Sequence, residues 1–126
     1  MALLEEVLTR SIIGGFLGVH NVLGFGLSER IYLLAMEQEL KARGHRVIKE
    51  VEVPVFYRDV LLQQQRLDML VDDRVVLELK ATPVLHPSAR QQLLNYLRLT
   101  PYKVGLLLHF GPAPAFERVV HSRKHA

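Results

Sequence analysis

The sequence predicts an α/β sandwich, a mixed central sheet with helices packed on its faces. Three observations carry that prediction. Apolar residues recur at helical spacing over the first third of the chain, alternate at strand spacing from Arg46 onward, and then form one more helical stripe followed by an apolar strand. At 126 residues and 49% hydrophobic, the chain fits a single domain over residues 1–120, followed by a basic tail at 121–126.

The elements follow in order. Leu4, Val7, Leu8, Ile12, Phe16, Val19, Val22 and Leu23 mark a first helix from about Leu3 to Leu23, although Gly14-Gly15 weakens its middle. Gly24-Phe25-Gly26 interrupts the pattern. A second helix runs from about Ser28, a candidate N-cap, to Arg43, with Gly44 as the residue that ends it. Val47, Val51, Val53, Val55 and Tyr57 then share one parity and predict a strand, which Pro54 places at a sheet edge. After a turn at Arg58-Asp59, strands over Val60 to Val71 and Arg74 to Ala81 flank the acidic turn Asp72-Asp73, completing an antiparallel three-strand meander. Ser88-Ala89-Arg90-Gln91 reads as a capping box opening a helix over Ala89 to Leu99. Lys103 to Phe110 is an apolar strand, Gly111 to Pro114 a loop, and Phe116 to Val120 a short last strand.

Composition narrows the chemistry. The absence of cysteine removes thiolate metal sites, disulfides and cysteine nucleophiles, and suits a reducing compartment. Without a basic leader or an apolar run near ~20 residues, a cytoplasmic protein with no membrane partner is expected. The formal charge of +3 mildly favours a polyanion. His45, His86, His109 and His121 lack metal-ligand spacing, and no phosphate-binding loop, dinucleotide fingerprint or nucleophile elbow is present.

Two strands carry charges where apolar residues are expected. In Val75-Val76-Leu77-Glu78-Leu79-Lys80, Glu78 and Lys80 share one face and either satisfy each other or line a site. Asp68 interrupts the preceding strand at Leu67-Asp68-Met69. A two-residue turn at Asp72-Asp73 sets Asp68 and Glu78 on opposite faces, whereas a three-residue loop Asp72-Asp73-Arg74 sets them directly across from each other. The second register is expected, with the strands roughly 5 Å apart there and the two carboxylates able to share a Mg²⁺ or Mn²⁺ ion. Lys80 then holds or activates the attacking water and offsets developing phosphorane charge.

Gly26-Leu27-Ser28-Glu29-Arg30-Ile31-Tyr32 reads G-x-x-E-x-x-Y. Together with Arg66-Leu67-Asp68, Glu78-Leu79-Lys80 and Gln92-Leu93-Leu94-Asn95-Tyr96-Leu97, it resembles the GxxExxY family, assigned to the PD-(D/E)XK nuclease superfamily. The resemblance covers about residues 11 to 120 and implies a restriction-endonuclease-like sandwich. It further implies that Glu29 is the helical acid completing the metal site, Asp68 and Glu78 its central ligands, Lys80 the catalytic lysine, and Gln92 with Tyr96 the supporting polar face. Leu67 stands where the family pattern usually has Pro. Structural readings stand beside these roles: Glu29 suits a helix N-terminus through the dipole, Tyr32 and His20 suit packing, and Gln92 with Tyr96 suits a solvated helix face.

The implied function is metal-dependent hydrolysis of nucleic acid phosphodiesters, DNA foremost. The alternative is a catalytically silent nuclease-fold module for binding or regulation that needs a partner. Arg30, Arg66, Arg90, Arg98 and Lys103 are the phosphate-contact candidates, scattered along the chain. A homodimer, resting on the long apolar helices and the run Val104 to Phe110, would supply contacts a monomer lacks.

Overall fold

The structure is a computed structural model and describes residues 4–122, so Leu3 and the tail residues Arg123 to Ala126 lie outside it. The elements are α1 (Glu6–Leu23), α2 (Glu29–Ala42), β1 (Val47–Tyr57), β2 (Val60–Val71), β3 (Val75–Lys80), α3 (Ser88–Leu99), β4 (Val104–Phe110) and β5 (Pro114–Val120). The five strands form one sheet in sequence order. Pairing is antiparallel except between β3 and β4, which are parallel and joined through α3. The mixed sheet expected from the sequence is present.

Helices cover both faces. Ile12, Phe16, Tyr32, Met36 and Leu40 from α1 and α2 pack against Met69, Leu77, Leu79, Leu106 and Leu108 on one side. On the other, Leu93 and Leu97 of α3 meet Leu70, Val76 and Leu107. β3 and β4 are buried along nearly their whole length because both faces are covered. The run Val104–Phe110 is wholly buried between β3 and β5, so the expectation that it offers a surface for a second copy is corrected.

Gly15 explains why a weakened helix middle is tolerated. A Cβ there would stand 3.2 Å from both Glu39 and Leu40 of α2, so the glycine lets the two helices approach closely, and α1 runs unbroken. Pro54 lies on the edge strand β1, where its missing N–H costs no ladder bond on the open side. Pro114 opens the other edge strand, which begins earlier than expected and shortens the preceding loop.

Two local expectations are corrected. The Ser88 hydroxyl does not cap α3: Ser88 is already helical, and its Oγ lies 2.7 Å from His86 Nδ1. The valines of β1 do not share one face either. Val47 packs with the α1/α2 core, but Val51 and Val53 pack with the α3 core, and on β2 Met69 and Leu67 divide in the same way. Both changes flank Glu50, whose φ of +55° takes the strand out of extended geometry and rolls the β1–β2 ribbon over. Beyond that point the ribbon ends in an exposed apolar tip of Phe56, Tyr57, Val60, Leu61 and Leu62.

Among the described residues, no helix is long and apolar enough to cross a membrane.

Candidate active site

The site lies where β2 and β3 part. These strands pair only at Val71–Val75, Leu70–Val76 and Met69–Leu77, across the three-residue loop Asp72-Asp73-Arg74. This is the register in which Asp68 comes opposite Glu78. The loop holds it through Asp72 and Asp73, both left-handed with φ of +52° and +55°, and through the Arg74 N–H donating to Val71 O at 3.0 Å.

A tie from outside the hairpin supports that loop. The Asp72 Oδ1 accepts the Arg46 N–H at 2.8 Å, its Oδ2 lies 2.7 Å from His45 Nδ1, and His45 Nε2 lies 2.7 Å from Ser11 Oγ. This chain has the connectivity of a serine-hydrolase triad. Ser11, however, sits within α1, where the neighbouring backbone N–H groups are engaged in the helical ladder and cannot form an oxyanion hole, so the chain acts as a structural tie.

Past Met69 the strands diverge and β3 loses β2 as a backbone partner, keeping β4 on its other side. A side chain takes over: Asp68 Oδ2 accepts the Leu79 N–H at 2.7 Å. Glu78, next to Leu79, is only 3% exposed, and its Oε2 has no hydrogen-bond partner among the described residues. Burial, then hydrogen bonding to Asp68 and the Asp68 charge, push the Glu78 carboxyl up to about 10, against the opposing pull of Lys80. Burial beside Asp68 therefore favours the protonated form of Glu78.

Glu29, Lys80 and Tyr96 stand close enough to interact with the same pair. Glu29 opens α2, with the Ser28 Oγ accepting the Ile31 N–H at 3.3 Å as the helix cap. Partial burial and the Asp68 charge raise the Glu29 carboxyl, while Lys80 lowers it. Lys80 makes no hydrogen bond and no ion pair among the described residues, so of the two sequence alternatives Glu78 and Lys80 do not satisfy each other. Tyr96 is buried on α3, its hydroxyl accepting from Gln92 Nε2 at 3.1 Å, and burial followed by the Glu78 charge raises it.

The remaining motif residues are structural. Tyr32 is fully buried, stacks on Phe110 with centroids 4.3 Å apart, donates to Gly24 O at 2.5 Å and accepts the Leu27 N–H at 3.3 Å. Those bonds close the turn through Gly26, whose φ of +105° a side chain would strain, and so set where α2 and Glu29 begin. His20 Nε2 contacts Gly111 O at 2.8 Å and the ring stacks on Phe110, a helix-end packing role.

The donor set suits a hard cation. Its atoms are oxygens, and an unpartnered buried carboxylate oxygen beside a second carboxylate is an open ligand position. Among the described residues, no three His, Cys, Asp or Glu side chains are already gathered into a ligand cluster. A small cation such as Mg²⁺ needs only one or two carboxylates plus water and phosphate, so the Asp68–Glu78 pair fits it once Glu78 gives up its proton.

Sequence reasoning missed Glu50. It lies between the pairs Lys49–Met69 and Val51–Leu67, beside Asp68, and nothing distinguishes it from an ordinary surface charge in the sequence.

No curated protein matches the chain. Among solved structures, the crystal structure of SSO0001 is similar in fold, with a TM-score of 0.61 at 21% identity over 76% of this chain and 52% of that one. This chain thus spans about half the length of that protein. The family model of the PD-(D/E)XK nuclease superfamily matches residues 6–120, which takes in the α2 acid, the strand fork with its two carboxylates, the lysine and the α3 face. The fold and that match together establish that the chain belongs to the PD-(D/E)XK nuclease superfamily.

Proposed function

We propose that the protein hydrolyses phosphodiesters of nucleic acid, DNA foremost, at a Mg²⁺ or Mn²⁺ site held by Asp68 and Glu78 and completed by Glu29, and that it is a GxxExxY-type member of its superfamily. The observation that carries this reading is the buried Glu78 carboxyl with an unpartnered oxygen beside Asp68, at the mouth of a strand fork that also presents an uncommitted lysine. A bound cation supplies charge neutralisation at the phosphate and acidifies bound water.

The chain's own residues do the rest. The Asp68 carboxylate accepts the Leu79 N–H with one oxygen, which fixes its direction and leaves the other oxygen for a ligand. Glu78 must lose its proton to solvent before it can ligate. Lys80 donates hydrogen bonds to the attacking water and to the phosphate oxygen on which charge develops. Tyr96 stands beside Glu78 on the α3 side, with Gln92 bonded to its hydroxyl.

A second reading, a nuclease-fold module that binds or regulates and needs a partner to cut, is favoured by one observation: the three carboxylates are not gathered into a ligand cluster in the isolated chain. A homodimer would supply a second site, and the exposed ribbon tip of Phe56, Tyr57, Leu61 and Leu62 is one apolar surface it could use.

The test is cleavage of labelled single-stranded, duplex and branched DNA, with RNA alongside, in Mg²⁺ or Mn²⁺. Wild type is compared with Glu78→Ala and Lys80→Ala. Metal-dependent cutting lost in both folded variants supports hydrolysis; no cutting of any substrate moves the reading to the partner-dependent module.

A further inference from the structure

The acids of the site repel the substrate they are meant to serve, because Glu29 and Asp68 place carboxylates in the cleft that a phosphate must approach. Something has to offset this before a cation arrives. Two of the arginines that look scattered in sequence do converge there. Arg30 follows Glu29 on α2, Arg66 precedes Asp68 by two positions on β2, and both line the cleft that contains Glu29 and Asp68.

Both guanidinium groups reach the same carboxylate. Arg30 Nη1 lies 2.5 Å from Glu50 Oε1, and Arg66 Nη1 lies 2.9 Å from Glu50 Oε2. One arginine on each of two anionic oxygens is the arrangement that the two non-bridging oxygens of a phosphodiester would also accept. Neither arginine has another hydrogen-bond or ion-pair partner among the described residues. Their side chains are 57% and 61% exposed, so these pairs are weak and exchangeable. Glu50 is also the residue with left-handed backbone inside β1, a conformation that costs free energy and is concentrated at functional sites.

We propose that Arg30 and Arg66 form a clamp for the nucleic-acid backbone phosphate beside the catalytic acids, and that Glu50 occupies the clamp in the free protein as an internal stand-in for that phosphate. The proposal rests on reading the neighbouring acids as a phosphodiester site. Substrate phosphate displaces the Glu50 carboxylate, the arginines change partner without moving far, and the phosphate is left next to Asp68. Glu50 thus weakens non-specific binding.

The experiment is fluorescence anisotropy with the full chain and labelled single-stranded and duplex DNA in EDTA, over a series of salt concentrations, so that binding is read without cleavage. Arg30→Ala and Arg66→Ala are each expected to weaken binding about 5- to 10-fold and to lower the slope of log K against log salt by about 0.9 on duplex or 0.7 on single strands. Arg10→Ala, a loss of the same charge on the exposed flank of α1, should leave the slope nearly unchanged. Glu50→Gln should tighten binding several-fold.

Arginine variants with wild-type affinity and slope would overturn the clamp, as would a wild type that binds neither DNA at low salt. Losses equal to that of Arg10→Ala would reduce it to bulk charge and also overturn it. A Glu50→Gln that binds more weakly would overturn the stand-in role. Binding that depends on both arginines in a protein that never cuts would keep the clamp while removing the nuclease reading, and cutting that survives both arginine variants would do the reverse.

Discussion

Asp68 accepts the Leu79 N–H across 2.7 Å, so a side chain of β2 continues the ladder that its own backbone abandons after Met69. The bond satisfies a β3 donor that the divergence would otherwise leave unpaired, and it aims Asp68 at Glu78. The fork and the acid pair are therefore one feature, and several measurements follow from it.

Glu78 should be a stability liability that grows with pH. Its folded-state carboxyl is raised to about 10, so between roughly pH 4.5, the ordinary value, and 10 the folded state holds a proton that the unfolded chain releases. Stability then falls as pH rises through that window. Glu78→Gln removes the dependence. Thermal melts should show the variant gaining over wild type by about 5 °C at pH 9 and by little at pH 5; a constant offset across that range would sink the assignment.

Cation binding has to expel the same proton. Calorimetric titration of Mg²⁺ in two buffers of different ionisation heat should report release of about one proton per ion near pH 7, with affinity rising up to about tenfold per pH unit. Binding without proton release would show that Glu78 is not a ligand.

Lys80→Ala should lower the cleavage rate by about 10²- to 10³-fold. Because the amine makes no hydrogen bond or ion pair among the described residues, stability should change by less than about 0.5 kcal/mol. Single-turnover kinetics beside urea unfolding separate the two effects, and a fall in rate that tracks a fall in stability would contradict the role.

Tyr32→Phe removes the hydroxyl that donates to Gly24 O and accepts the Leu27 N–H while leaving the ring on Phe110. A loss of about 1–2 kcal/mol is expected. The turn sets the start of α2, so the cleavage rate should fall through Glu29 with nucleic-acid affinity kept; equal losses in both would mean that the whole cleft has shifted.

Asp72 gives the opposite pH signature. Burial raises its carboxyl, but the Arg46 N–H, His45 and the Arg74 charge outweigh that and hold it below the usual range. Its contribution is present above about pH 3.8 and is lost as pH falls through the lower folded value. Asp72→Asn should cost about 1–2 kcal/mol at pH 7 and much less near pH 3, read from urea midpoints at the two pH values.

Most of the architecture was legible in the chain because it depends on local rules. Strand and helix periods, the Ser28 cap, the edge position of Pro54 and the three-residue loop at Asp72 to Arg74 each follow from residues close in sequence. The site acids stood out for a related reason, since charges inside apolar strands have to be accounted for. Local rules also produced the errors. The S-x-x-Q pattern at Ser88 suggested a cap, but His86 takes its hydroxyl, and strict alternation put Val47 with Val51 although the ribbon rolls over at Glu50.

Side-chain period and loop length act over a few residues, so the chain alone fixes which segments form helix or strand and which carboxylates share one hairpin. Long-range packing is what makes β2 leave β3 at Asp68, buries Glu78 with an unpartnered oxygen among the described residues, and brings Arg30 and Arg66 together on Glu50. Those facts depend on desolvation and Coulomb forces between groups brought together from distant parts of the chain, and neither has a period that can be read along it.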